Sequence, residues 1–383
     1  MKLRTYLNTF TKDELIDVYR KLELSGYSKC KKAELIDHIV TYLSDEKTVR
    51  TRLTCLTKDQ LSIYQKAMKQ PISPSIRVAN SVAHLTDQLV GCLDDYTNDF
   101  YVFDEIVQTF HSVYDDEFKY EQKRKGWLMD CIQFAIKYYG LVPVEVLHKL
   151  YKQMIDEDVF EMMYVFNEIP IDIARCGFFA FNELGASDWD KNDPLYSDIG
   201  LIISYELFEF NIVSQTLNGQ GMKPFYIPSV KEINELDNYG YEINSPQYRS
   251  LKNYLAKEYD MNDFETQRLC VTIWDMNNNS YSFGEIISFL TEHVVELEDT
   301  KQADIFINYV MQAYNNTRVI YNRGYKPTEL RSQSDSNVIR AGRKYSSNPD
   351  KHPETIHRRV NQDDLCPCGS GKPYDQCCGK YKS

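Results

Sequence analysis

A chain of 383 residues, 43% hydrophobic and 13% aromatic with 29 tyrosines, can build two to four cores of its own. No stretch of about 18 apolar residues occurs, which excludes a helical membrane span and points to a soluble, cytoplasmic protein. The formal net charge of −12 is unevenly spread: residues 1–52 hold 11 Lys/Arg against 8 Asp/Glu, residues 323–383 hold 12 against 7, and the stretch between holds 21 against 41. An acidic body of that kind repels phosphate backbones, so any nucleic-acid contact would be confined to an end.

The fold class expected is mainly α with short β-hairpins. Residues 9–43 read as two short helices. Thr11-Lys-Asp-Glu14 is a capping box, and Leu15, Val18, Tyr19 and Leu22 follow at helical spacing. Gly26-Tyr27 ends the first helix. The second carries Leu35, Ile36, Ile39, Val40 and Leu43 on one side, preceded by Lys29, Lys31 and Lys32. The run from Glu14-Leu15 through Gly26-Tyr-Ser-Lys29 to Lys32-Ala-Glu-Leu-Ile36 resembles the small helix–extended loop–helix modules of the SAP and Rho N-terminal type. That resemblance implies a module over 1–52 and contact of Lys29, Lys31 and Lys32 with DNA or RNA phosphate at a helix N-terminus. A helical hairpin that only starts the fold is the alternative.

Thr57-Lys-Asp-Gln60 opens a helix to about Met68, Pro71 and Pro74 break the chain, and Ile76–Leu89 gives another helix. Tyr96–Phe100 reads as a hairpin tip, Phe100–Phe103 as a strand and Asp104–Phe110 as helix. Helices followed by a hairpin outline a winged-helix-like unit over 53–120. Tyr101-Val-Phe-Asp-Glu-Ile-Val, Phe179-Ala-Phe-Asn-Glu-Leu and Tyr226-Ile-Pro-Ser-Val-Lys-Glu-Ile share an alternating strand running into a helix start, a weak repeat of such units. A second unit is placed over 121–244. Trp127–Tyr139 is an amphipathic helix closed by Gly140, Val144–Tyr151 a second helix, and a third starts at Asp156-Glu-Asp158. Ile171–Phe181 reads as strand. The third helix, over 156–168, carries five acids and no Lys or Arg, so it suits packing or protein binding rather than groove reading. Residues 186–244 show short apolar runs at 199–203 and 208–213.

Residues 245–330 read as a helical domain, with Leu251, Tyr254 and Leu255, then Leu269, Ile273 and Trp274, then Ile286, Ile287 and Leu290, then Ile305, Ile307, Val310 and Met311 at helical spacing. Residues 331–362 are polar, rich in Ser, Asn, Asp and Arg, and read as a flexible linker. Catalytic groups do not converge anywhere. The seven His are scattered, and neither His-Glu-x-x-His nor Gly-x-Ser-x-Gly occurs, so the chain reads as a non-enzyme.

The chemistry that does stand out is at residues 363–383. Four of the ten cysteines, Cys366, Cys368, Cys377 and Cys378, sit within thirteen positions in a segment too poor in apolar groups to bury a core. Four thiolates can close a tetrahedral zinc site whose binding would supply the missing folding free energy. The N-terminus, Met-Lys-Leu-Arg-Thr-Tyr, lacks the apolar core of a secretory signal, and the other six cysteines are scattered singly, as in a reducing compartment; both argue against disulfides. Gly-Ser-Gly-Lys372 fails as a phosphate-binding loop because Cys366 and Pro373 occupy positions that need Gly and Ser or Thr. Cys366-Pro-Cys-Gly-Ser-Gly-Lys372, Tyr374 and Cys377-Cys-Gly379 closely resemble the SEC-C motif, named for the zinc-binding tail of the protein-translocation motor SecA. The resemblance implies zinc held by the four cysteines. It also implies docking to a protein partner of chaperone or ribosome type, with Lys372, Tyr374, Lys380, Tyr381, Arg358 and Arg359 as contacts. Pro373 and Asp375 depart from the lysines common there. Function therefore reads as a cytoplasmic adaptor with a tethered zinc module, the alternative being a nucleic-acid-associated regulator working through the N-terminal lysines.

Overall fold

A computed structural model describes residues 1–175, 178–181, 200–236, 242, 245–295 and 300–330. The chain divides into two compact units, Met1–Ile339 and Arg340–Ser383, and all described residues belong to the first. The expected linker (331–362) and zinc segment (363–383) lie outside the described residues, as does the helix start expected after Phe181.

The N-terminal half is helical except for one hairpin. Helices α1 (Leu3–Asn8), α2 (Lys12–Lys21) and α3 (Lys32–Leu43) are followed by α4 (Glu46–Thr54), α5 (Lys58–Ala67) and α6 (Ile76–Asp87), then by β1 (Gly91–Leu93), β2 (Phe100–Val102) and α7 (Asp104–Val113). The capping boxes expected at Thr11 and Thr57 both form, each with its Glu14 or Gln60 partner. α4 was not foreseen; it starts because Asp45 accepts from the Thr48 amide, and it crosses residue 52, where the sequence places a boundary. Ile72 bridges Phe100 on the free side of β2, so the strand order is Ile72, β2, β1. The core runs from Leu3 to Phe118 and includes Tyr64, Phe100, Phe103 and Phe110.

Helix α8 (Asp116–Tyr138) then spans 23 residues. It starts eleven residues before the expected Trp127, capped by Asp115, whose carboxylate accepts from the Phe118 amide. Its first half is polar, so no apolar stripe announces it. The helix runs unbroken through residue 120, where the sequence reading divides two units. Phe118 belongs to the first core; Trp127 to Tyr138 belong to the second.

The second core is built on β3 (Leu141–Pro143), α9 (Val144–Tyr151), α10 (Val159–Asn167), α11 (Ile171–Arg175), β4 (Phe178–Phe181) and β5 (Leu201–Ser204). β5 pairs antiparallel with β3 on one side and β4 on the other, giving the order β3-β5-β4. The strand expected over 171–181 is therefore corrected: only 178–181 is strand, and 171–175 is helix. Pro170, with φ fixed near the helical value, starts that helix, and the Ile173 and Ala174 amides both donate to its carbonyl. Gly140 ends α8 at φ +72, where a Cβ would sit 2.7 Å from Leu207.

Next come α12 (Tyr205–Glu209), α13 (Val213–Gln220) and α14 (Val230–Leu236). The strand expected at Tyr226–Pro228 does not form; this stretch is an extended connection whose Tyr226 amide donates to the Arg323 carbonyl. The expected helical domain is α15 (Pro246–Glu258), α16 (Asp263–Asn278), α17 (Phe283–His293) and α18 (Thr300–Asn316), ending in the short α19 (Pro327–Leu330). Its buried Leu251, Ile273, Leu290 and Val310 join the second core.

Two buried polar knots fix this arrangement. Arg52 on α4 pairs with Asp172 on α11 at 2.7 Å and donates to the Gln88 carbonyl at 2.6 Å; both side chains are at most 5% exposed. Farther along, Arg318 lies over the Tyr226 ring at 3.5 Å and donates to Glu232 at 3.0 Å, Glu329 at 3.1 Å and the Gly324 carbonyl at 2.8 Å. Its Nε stands 3.6 Å from Glu242, which Lys326 approaches to the same distance. The last described residues are thus fastened to α14. Burial pushes the Glu242 carboxyl up to about 7, against the pull of Lys326 and Arg318.

Removing one member of a buried pair leaves the other charge in a dry site. Arg52→Met should cost about 3 kcal/mol in urea unfolding, whereas Arg50→Met, whose pair with Asp115 is partly solvated, should leave the midpoint nearly unchanged. Equal effects would remove the special role of the Arg52 knot. Because Glu242 holds its proton more tightly folded than unfolded, its contribution is fully present below about pH 4.5 and is lost as pH rises through about 7. Over that window stability should fall by up to about 3 kcal/mol through this group. Glu242→Gln should flatten the slope by up to one proton; an unchanged slope in pH-resolved unfolding would refute the assignment.

Candidate functional sites

The N-terminal lysines sit on the connection between two packed helices. Leu15, Val18 and Tyr19 of α2 and Leu35, Ile36 and Ile39 of α3 are buried in the first core. Gly26 at φ +90 turns the chain into a 3-10 turn, Tyr27–Lys29. Lys29, Lys31 and Lys32 are all exposed. Lys31 precedes α3, and the Glu34 carboxylate reaches back to accept its backbone amide at 2.6 Å. Lys32 is tied to the Asn8 carbonyl at 2.9 Å. Arg20, missed as a member of this patch, lies over Tyr27 at 5.6 Å and pairs with Asp17. The three lysines thus share one end of α3, where their charge opposes the helix dipole and would welcome an anion.

The third helix expected over 156–168 is α10, and it is not a cationic reader. Asp158 caps it and forms a box with Glu161. Met162, Val165 and Phe166 are buried against α8 and α9. Phe160 and Tyr164, one turn apart, are 71% and 67% exposed. Three cations near the helix are engaged by acids: Lys152 with Asp156, Arg124 with Glu157 at 2.6 Å, and Lys125 with Glu168 at 2.8 Å.

An open groove of about 530 Å³ lies between α15 and α18. Tyr254 and Tyr309 stack in it at 4.5 Å, flanked by Lys257, Lys301 and Ile305.

Among the described residues no group of three or more His, Cys, Asp or Glu is placed to hold a metal. Cys30, Cys55, Cys92, Cys131 and Cys270 stand singly as free thiols. Burial pushes Cys55 and Cys270 up to about 12 and Cys92 up to about 11, so these thiols stay protonated and act as small apolar packing groups. The ligand candidates Cys366, Cys368, Cys377 and Cys378 and the contact candidates Lys372, Tyr374, Lys380, Tyr381, Arg358 and Arg359 lie outside the described residues. Four cysteines within thirteen positions are, by their chemistry, a donor set that fits zinc.

No helix in the described residues is long and apolar enough to cross a membrane. No solved structure matches the chain. Over 31 residues, 8% of this chain, the sequence is 48% identical to the protein translocase subunit SecA of Syntrophomonas wolfei subsp. wolfei (strain DSM 2245B / Goettingen), a match that spans 4% of that protein's length. Residues 364–380 match the family model of the SEC-C motif.

Proposed function

We propose that the chain is a non-enzymatic cytoplasmic adaptor whose SEC-C segment binds one zinc ion and docks a protein partner. The observation that carries the reading is the SEC-C match over 364–380, a stretch that contains Cys366, Cys368, Cys377 and Cys378, the four residues we take as ligands. Bound zinc would act as a structural cross-link, folding a glycine-rich segment that has no core of its own. Lys372, Tyr374, Lys380 and Tyr381 would then be held around the metal, with Arg358 and Arg359 just before it, as the contact surface. The cytoplasmic placement is supported by the five cysteines among the described residues, which stand as free thiols.

We further infer that the body is assembled from winged-helix-like units. Support comes from the order α8-β3-α9-α10-α11-β4-β5, in which the short α11 precedes the strand pair, with the last strand in the middle of the sheet. The pattern returns in shorter form as α5, Ile72, α6, β1, β2, again with the last strand central. The helix that would enter a DNA groove is α10, and its acids make it unsuited to that use.

The second reading, a nucleic-acid-associated regulator, is favoured by one observation, the exposed Lys29, Lys31 and Lys32 at one end of α3. It requires binding to DNA or RNA that weakens steeply with salt and is lost in the Lys29→Ala/Lys31→Ala/Lys32→Ala variant. The adaptor reading expects no such binding near physiological salt.

Metal analysis of the purified full chain should find about one zinc per chain, with Cys368→Ser or Cys377→Ser reducing it. A metal-free tail containing two disulfides would sink the proposal. Chelation should leave the main melting transition of the body unchanged, since its own cores contain no metal-ligand cluster among the described residues. A large drop would show that the metal staples the body instead.

A further inference from the structure

α10 is anchored on one side and bare on the other. Met162 and Val165 are at most 1% exposed, so the helix is fixed in place before any partner arrives. Its outer face presents Phe160 and Tyr164 at a spacing of four residues, which puts both rings on one stripe. Met154 and Ile171, each 44% exposed, flank the helix in sequence. Large rigid aromatics on a fixed helix lose little side-chain entropy on contact and are the side chains that anchor interfaces.

The charge around the stripe restricts what can cover it. Residues 156–168 contribute Asp156, Glu157, Asp158, Glu161 and Glu168 and no cation. Three of the cations near them are paired, Arg124 with Glu157, Lys152 with Asp156 and Lys125 with both Glu168 and Glu121, while Lys123 and Lys149 stay exposed on α8 and α9. The patch keeps a net negative charge within a body that is acidic overall. A phosphate backbone is repelled by it. A second copy of this chain, presenting the same face, would set acid against acid. A basic protein surface meets attraction at long range and an aromatic anchor at contact.

We propose that the outer face of α10 is a docking surface for a partner protein whose contact patch is an apolar stripe bordered by Lys and Arg, as on a basic amphipathic helix. Its residues are not those of the proposed zinc segment, so its failure would leave the SEC-C reading standing. Two aromatics bury roughly 300–500 Å² between them, less than the roughly 800 Å² per partner of a standard interface. The contact is therefore weak and transient by itself.

The test uses the full chain and a fluorescein-labelled 18-residue peptide of Leu, Lys and Arg with its leucines on one helical face. Fluorescence anisotropy should give a dissociation constant of tens of micromolar at low salt, weakening with added salt. The Phe160→Ser/Tyr164→Ser variant should bind at least tenfold more weakly while keeping the parent melting temperature, because both side chains are exposed. A peptide of the same composition in scrambled order should bind as poorly as the variant does. Cys368→Ser/Cys377→Ser should bind the peptide like the parent. Equal binding of parent and Phe160→Ser/Tyr164→Ser variant would overturn the proposal, and so would a concentration-dependent dimer that the same double substitution abolishes.

Discussion

The seam at Gly126 holds the described body together. α8 contributes Phe118 to one core and Trp127 onward to the other, so a single rigid element belongs to both. At the crossing, a Cβ on Gly126 would lie 2.6 Å from the Leu56 carbonyl. Only glycine lets the helix approach that connection so closely. Gln122, one turn earlier, donates to the same carbonyl at 2.9 Å. Arg52 on α4 pairs with Asp172 on α11, a second tie between the two halves. Close packing, a carbonyl bond and a buried ion pair together make relative movement of the two cores costly.

This seam was the part of the fold hardest to read in the sequence. Capping boxes at Thr11 and Thr57, the breaks at Pro71 and Pro74, and the helical run after residue 245 all announce themselves through local chemistry. The Asp158–Glu161, Asn262–Glu265 and Ser282–Glu285 boxes carry the same signature and were open to the same reasoning. The first half of α8 carries no apolar stripe, because it crosses between cores and buries little on any one face. The Ile171–Phe181 stretch alternates like a strand, yet Asp172 is drawn to Arg52, 120 residues earlier. A partner at that distance leaves no mark on the local pattern. The middle strand β5 is likewise set by pairing with β3 and β4, while in sequence it is one apolar run among several.

Several of the body's acids are structural. Asp94 accepts from the amides of Tyr96 and Thr97 in the hairpin turn, Asp115 caps α8, and Asp158 caps α10. Their negative charge is the by-product of building turns and helix ends with carboxylates. Once fixed, however, it sets what the surface can meet. The lysines at the start of α3 and the acids around α10 give two surfaces of the body opposite electrostatic preferences, although each helix opens with a glutamate reaching back to the N-cap amide, Glu34 to Lys31 and Glu161 to Asp158.

Cysteine follows the same logic of context. In the body the thiols of Cys55, Cys92 and Cys270 lie among apolar side chains, where burial raises their pKa far above neutrality and keeps them from ionising. A thiolate is what a metal needs, so these residues are poor ligands even though some are close to carboxylates. At 366–378 the same residue type recurs among glycines, with few apolar neighbours to impose that penalty. A divalent metal there would gain four thiolates at little desolvation cost, and the segment would gain the cross-link that its composition cannot otherwise supply. Burial thus silences the thiols of Cys55, Cys92 and Cys270, which help to fill the cores.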